Sequence, residues 1–132
     1  MALYAATQHA IEGYSESLDH ELRTSGIRVS VIEPAYTKTQ FDAHWLEADS
    51  KLDEYRAARA VVGKRLREAV AAADAPSVVA DVVLQAAAAA RPKLRYTAAR
   101  GASRLRWLRR FAPAGVMDAG IRKELRLDAV TA

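Results

Sequence analysis

The feature that most constrains this chain is one strand-like run set directly behind a long helix, with no strand ahead of that helix. From Leu3 to Thr24, Ile11, Tyr14, Leu18 and Leu22 recur at three- and four-residue spacing, the period of an amphipathic helix. Glu12, Glu16, Asp19, Glu21 and Arg23 fall mostly on other faces and read as a solvated side. Gly26 follows where a helix C-cap belongs. Ile27-Arg28-Val29-Ser30-Val31-Ile32 then alternates apolar and polar over its first five residues and is rich in β-branched side chains, which predicts a strand over Ile27–Glu33. Pro34 ends it, because proline brings no amide proton to a ladder. Helix, glycine turn and strand make half of a βαβ unit. A lone strand exposes both edges and an apolar face, so the pattern implies that elements upstream of the helix are missing.

Thr37 to Ala73 reads as one or two helices, with Phe41, Trp45 and Leu46 on one stripe and Leu52, Tyr55, Arg59, Val62, Leu66 and Val70 on another. Asp74-Ala75-Pro76 is a stop and restart, with proline at a first helical turn. Ser77 to Ala90 is a very apolar helix that Pro92 stops, and Leu94–Ala98 is a short final strand. Ser103–Phe111 and Gly115–Leu127 read as basic amphipathic helices around Pro113. The strand Ile27–Glu33 is expected to lie parallel to its partner, flanked by the helices Leu3–Thr24 and Ser77–Ala90. The natural division puts an α/β portion in residues 1–99 and a basic helical tail in 100–132.

The apolar fraction, 51%, is that of a globular chain, but much of it is alanine, so the core is expected to be thin. The absence of cysteine excludes disulfides and thiolate metal sites and fits a reducing cytoplasm. His9, His20 and His44 lack ligand spacing with one another, so no metal site is expected. No apolar run approaches the roughly 18 residues that span a bilayer, and Met1–Tyr14 lacks the basic cluster and apolar run of a signal peptide. The net charge of +4 is concentrated late: Arg100, Arg104, Arg106, Arg109, Arg110, Arg122, Lys123 and Arg126 stand against Asp118 and Glu124. Trp107 within Arg104–Arg110 fits a helix with a polar face and one anchor, and also weak membrane-surface contact. No nucleic-acid motif accompanies the basic run, so nucleic acid is not an expected partner.

Tyr4-Ala5-Ala6-Thr7-Gln8, continued by Glu12-Gly13-Tyr14-Ser15, resembles the active-site helix of the short-chain dehydrogenase/reductase family, whose motif is Tyr-x-x-x-Lys. The strand Arg28–Glu33 followed by Pro34-Ala35-Tyr36-Thr37-Lys38-Thr39 resembles the family's next element, a strand ending in Pro-Gly-x-x-x-Thr. The two occur in the family's order and spacing. The similarity is clearest from Met1 to Thr39 and continues more loosely through Pro92-Lys93-Leu94-Arg95-Tyr96. It implies an α/β fold: the helix-rich C-terminal part of a doubly wound, Rossmann-like parallel sheet, with the N-terminal dinucleotide-binding half absent.

The resemblance also implies a chemistry, hydride transfer between an alcohol or ketone and NAD or NADP. Tyr4 stands at the position of the tyrosine that moves the proton, and Gln8 at the position of the lysine. Pro34 and Thr39 match the cofactor-contacting loop, where Ala35 replaces the family glycine. Tyrosine titrates near pH 10, so it needs a neighbouring cation to act as a base at neutral pH. Gln8 can hydrogen-bond a ribose hydroxyl but carries no charge. Losing two to three units of pKa lowering corresponds to roughly 3–4 kcal/mol and a rate loss on the order of 10²–10³. Lys38 lies in a different element, and His9 does not share the helical face of Tyr4. No glycine-rich phosphate loop is present: Gly13, Gly26 and Gly63 stand singly. The expected outcome is a truncated NAD(P)-dependent oxidoreductase, inactive as this chain alone. The alternative is a non-catalytic module derived from one, acting by homo-oligomerisation through the helix Leu3–Thr24 or by membrane-surface contact through Arg104–Arg110.

Overall fold

The computed structural model describes residues 2–40 and 49–129. The first helix, α1, spans Ala2–Leu22 and tightens into a single 3₁₀ turn over Arg23–Ser25. Gly26, at φ 76°, reverses the chain. Its N–H donates to the Arg23 carbonyl at 3.1 Å, and the Ile27 N–H reaches back to Leu22 at 3.3 Å. This left-handed exit is one that glycine adopts without steric cost.

Two strands follow in the chain, β1 (Val31–Pro34) and β2 (Arg95–Ala98), and they pair in parallel with Val31 opposite Arg95 and Pro34 opposite Ala98. A parallel pair needs a long crossover. Here it contains α2 (Arg56–Ala71) and α3 (Ser77–Ala88). The stripe of Phe41, Trp45 and Leu46 lies outside the described residues. After β2, Ala99 and Gly101 take positive φ and turn the chain into α4 (Ala102–Phe111); Pro113 then precedes α5 (Ala114–Glu124).

β1 is shorter at its start than the alternation Ile27–Glu33 predicts. The Val29 N–H is used instead by the Asp19 carboxylate of α1, at 2.9 Å, and the Ser30 hydroxyl donates to the Lys93 carbonyl at 2.8 Å. Pairing therefore begins where Val31 N–H finds Leu94, at 2.8 Å. It runs past Pro34, which needs no donor because the Ala35 N–H reaches Ala98 at 3.0 Å. A further parallel bridge joins Thr37 to Asp74.

Alternation along the strands gives the sheet two unlike faces. Tyr96 and Ala98 are buried, and Ile32, on the same side, borders a groove of about 320 Å³ with Val83, Ala86 and Ala87 of α3. Glu33, Arg95 and Thr97 project to the other face, where α1 and α4 meet them. Among the described residues, the buried apolar side chains are Tyr96, Ala98 and Ala102. The chain exposes 10226 Å². A monomeric globule of its 14.4 kDa exposes about 6,800 Å². Leu3, Ile11, Tyr14, Leu84 and Trp107 contribute to that excess.

Candidate functional site

Tyr4 and Gln8 lie one turn apart on the first half of α1, which places them on one helical face. Both are exposed, and Thr7, between them, donates its hydroxyl to the Tyr4 carbonyl at 2.8 Å. The chain runs along α1, turns at Gly26 and returns along β1. The start of α1 and the carboxyl end of β1 therefore fall at the same end of the unit, the end where open parallel sheets bind ligands. Pro34 closes β1, and Thr39 lies five residues on, exposed. Among the described residues, positive φ is taken by Ala99, Arg126 and two glycines, and not by Ala35. The alanine in place of glycine therefore costs this loop no backbone strain.

Neither Lys38 nor His9 stands in for a lysine at position 8. The Lys38 N–H donates to the Asp74 carbonyl at 2.9 Å, and its charge acts on the Asp74 carboxylate. His9 accepts from Arg109 of α4 at 3.1 Å through Nε2 and turns Nδ1 toward Glu12 at 4.0 Å. Tyr36, in the same loop as Thr39, has its hydroxyl pKa pushed up by partial burial and by Glu124, the direction that makes a phenol a poorer base.

The glycines offer no cradle for a dinucleotide pyrophosphate. Such a cradle needs a backbone that a ligand approaches too closely for a side chain. A Cβ added at Gly13, Gly26, Gly101, Gly115 or Gly120 would meet nothing within 4 Å, and one at Gly63 would meet only the tip of Arg67. The glycines thus do not fit the pyrophosphate, while Gln8 carries an amide on the face of α1 that holds Tyr4, and Thr39 lies in the loop after β1. Among the described residues no three His, Cys, Asp or Glu side chains are placed to hold a metal ion.

Behind the site lies a charged cluster that the sequence pattern did not reveal. Glu12, Glu16 and Asp19 are not a solvated side of α1; they form its inward face. Arg95 of β2 donates to Glu12 at 2.9 Å, to Glu16 at 2.8 Å and to Glu33 of β1. Those three acceptors hold the guanidinium pKa above its ordinary value, the Glu12 bond most strongly. Asp19 is wholly buried. It accepts from Arg28 at 2.8 Å, from Arg23, and from the Val29 N–H at 2.9 Å. These bonds, the Arg28 bond foremost, hold its carboxyl well below the usual carboxylate range. The spacing of Glu12, Glu16 and Asp19, four and then three residues, is the signal that could have been read as one face directed at a cation. The cluster fixes the angle of α1 on the sheet and so the direction in which Tyr4 and Gln8 project.

Residues 1–50 match the family described as short chain dehydrogenase. The chain is a relative of the short-chain dehydrogenases. It is 36% identical over 94 residues to an uncharacterized oxidoreductase of Schizosaccharomyces pombe, covering 71% of this chain and 39% of that protein. It is 34% identical over 118 residues to the uncharacterized oxidoreductase YbbO of Escherichia coli, covering 87% of this chain and 39% of that protein. A shorter match of 42 residues, 48% identical, relates it to the oxidoreductase claN of Passalora fulva. The chain thus spans about two fifths of the length of the first two relatives. The helix-rich α/β architecture with a small parallel sheet agrees with a short-chain dehydrogenase. Among the described residues no helix is long and apolar enough to cross a membrane.

Proposed function

We propose that this chain carries the catalytic-helix side of a cytoplasmic NAD(P)-dependent oxidoreductase acting on an alcohol or ketone, and that it does not turn over substrate alone. The observation that carries this reading is the placement of Tyr4 and Gln8 on one face of α1, at the sheet end where Pro34 and Thr39 leave β1. In this reading Tyr4 moves the proton, Gln8 holds a ribose hydroxyl without lowering the tyrosine pKa, and Thr39 contacts the carboxamide. The portion that would grip the pyrophosphate is the dinucleotide-binding part of the family fold, and no Gly-x-Gly-x-x-Gly sequence occurs in these 132 residues. The large exposed surface supports a chain that works against a further portion of protein.

Fluorescence titration is expected to give NADH and NADPH dissociation constants no tighter than about millimolar, since among the described residues no glycine-lined helix N-terminus cradles the phosphates. Gln8→Lys alone is expected to stay at the background of a Tyr4→Phe/Gln8→Lys control. Fused behind the dinucleotide-binding portion of a relative, the chain should bind cofactor, and Gln8→Lys should then raise turnover on the order of 10²-fold. Micromolar cofactor binding by the unfused chain, or a fused Gln8→Lys no faster than the fused parent, would overturn the reading.

The second reading, a non-catalytic oligomerisation module, has one specific observation in its favour. Leu3, Ile11 and Tyr14 form an exposed apolar row on α1, turned away from the sheet.

A further inference from the structure

α4 is packed with its polar side inward. Ala102 is buried against β2, and the Ser103 hydroxyl lies 2.8 Å from that of Thr97. Further along the same side, Arg106 comes within 3.9 Å of Glu33, and Arg109 donates to His9 on α1. At 100° per residue, these contacts turn the opposite side outward, and that side carries Leu105, Trp107, Leu108 and Phe111. Trp107 is 66% exposed and Phe111 59%, with their ring centroids 4.4 Å apart. An aromatic pair this exposed gains nothing from water. Arg104 stands within the apolar side, and Arg110 flanks it with its guanidinium 5.8 Å from the centre of the Phe111 ring. Between the aromatic pair and the arginine row runs an open groove of about 300 Å³ lined by Thr97, Ser103, Arg106, Trp107, Arg110 and Phe111. It presents two guanidinium groups and two hydroxyls beside an apolar wall.

We propose that α4 is an interfacial helix that docks this chain on an anionic lipid surface. Leu105, Trp107, Leu108 and Phe111 enter the headgroup–acyl boundary, Arg104 and Arg110 extend to lipid phosphates, and the groove seats one phosphodiester against Arg106 and Arg110. Charge selects this occupant over a second copy of the chain. α4 holds four arginines and no acidic residue, so two such faces brought together would oppose like charges without a carboxylate to receive them. Aromatic side chains bordered by arginine, on a helix too short to span, are the composition of a segment that lies in the membrane interface. Each arginine near an anionic leaflet adds attraction that falls away within a Debye length.

Flotation with phosphatidylcholine vesicles, with and without phosphatidylserine, tests the proposal on the full 132-residue chain. The sequence has two tryptophans, Trp45 and Trp107. A Trp45→Phe background therefore makes Trp107 the sole indole reporter. The expected result is flotation and a blue shift of Trp107 emission with phosphatidylserine vesicles only, both reversed by salt. Arg106→Gln/Arg110→Gln should weaken partitioning about 10- to 30-fold, and Trp107→Ser/Phe111→Ser should abolish flotation. Arg106 keeps half its side chain in solvent despite its 3.9 Å approach to Glu33, and Trp107 and Phe111 are exposed, so both double variants should keep the parent's helical circular dichroism. Equal flotation with neutral vesicles, no flotation at all, or flotation unchanged in both variants would overturn the proposal. So would a dimer in sedimentation that Trp107→Ser/Phe111→Ser dissolves while vesicle binding stays absent, since a second copy would then cover this face.

Discussion

α1 and α3 cover opposite faces of the same two strands with opposite chemistry. α3 lays an apolar side on the sheet: Val79, Val82 and Ala86 are partly buried, and Val83, Ala86 and Ala87 border the groove against Ile32. α1 turns Glu12, Glu16 and Asp19 toward Arg95 and Arg28, and leaves Ile11 and Tyr14 outside. The α3 face is non-directional: it tolerates small shifts and is indifferent to pH and salt. The α1 face is directional, because each carboxylate must meet a particular guanidinium. A helix whose first half carries Tyr4 and Gln8 gains from the second kind of attachment. Hydrogen bonds of fixed geometry set the rotation of the helix, and rotation decides where those two side chains point.

The largest effect is expected where the directional face is driest. Asp19→Ala removes a wholly buried carboxylate and leaves the Val29 N–H and the Arg28 guanidinium without their acceptor. Arg28 and Arg23 keep access to water, so the main loss is the Val29 N–H left without its acceptor beside the space the carboxylate filled. The melting temperature, or the denaturation midpoint if the melt is broad, should fall by roughly 10 °C or its equivalent. The same carboxylate makes the α1 face acid-sensitive. Asp19 is held below its ordinary pKa by Arg28 and Arg23, and Asp74 by the Arg100 N–H and side chain. A carboxyl with a depressed folded pKa gives its full stabilisation above the unfolded value of about 3.9 and loses it as pH falls through the folded value. Stability should therefore be flat from neutrality to about pH 5 and decline below pH 4, and Asp19→Ala should flatten most of that decline. An unchanged acid limb in the variant would mean that α1 is held by something other than this cluster.

A smaller effect is expected at Arg95, whose side chain is 22% exposed. Arg95→Met keeps the aliphatic stem but leaves Glu12, Glu16 and Glu33 facing one another. Partial exposure lets water and salt screen the three carboxylates, so the loss should be about half that of Asp19→Ala. The variant should also regain stability at high salt, which screens the repulsion. A loss equal to that of Asp19→Ala and independent of salt would show that Arg95 acts by packing alone.

The two faces also differ in how far the sequence disclosed them. The elements were legible: the 3.6-residue period of α1, the β-branched run of β1, the glycine exit at Gly26 and the apolar α3 all appear where pattern and propensity put them. So did the placement of Tyr4 and Gln8 on α1 and of Pro34 at the end of β1. What pattern did not reveal was which side of α1 and α4 faces inward. The rule that apolar sides turn in assumes that the only partner is a core. Here Arg95, far along the chain from Glu12 and Glu16, supplies a cation that local periodicity does not register, and Ile11, Tyr14, Trp107 and Phe111, on the sides expected to turn inward, are exposed. The strand start was misplaced for the same reason. The alternation from Ile27 is genuine, but the Ile27 amide returns to Leu22 and the Val29 amide goes to Asp19, not to a neighbouring strand.

The smallest effect is expected on the apolar face, and it sharpens the contrast. Val82 is half-buried on the sheet side of α3. Val82→Ala removes two methyl groups that are only partly withdrawn from water, a loss of about 1 kcal/mol at roughly 0.8 kcal/mol for each fully buried group. Alanine has the higher helix propensity, which offsets part of that loss. Val82 already reaches solvent, so no sealed cavity adds to it. Neither methyl interacts with a charge, so the loss should be the same at pH 4 and pH 7 and in low and high salt, whereas the loss in the Asp19 variant changes with pH and that in the Arg95 variant with salt. Measuring all three variants over that grid separates the two faces by signature as well as by size. If Val82→Ala proved as pH-dependent as Asp19→Ala, the faces would be coupled through the strands, and the directional attachment of α1 would depend on the packing of α3.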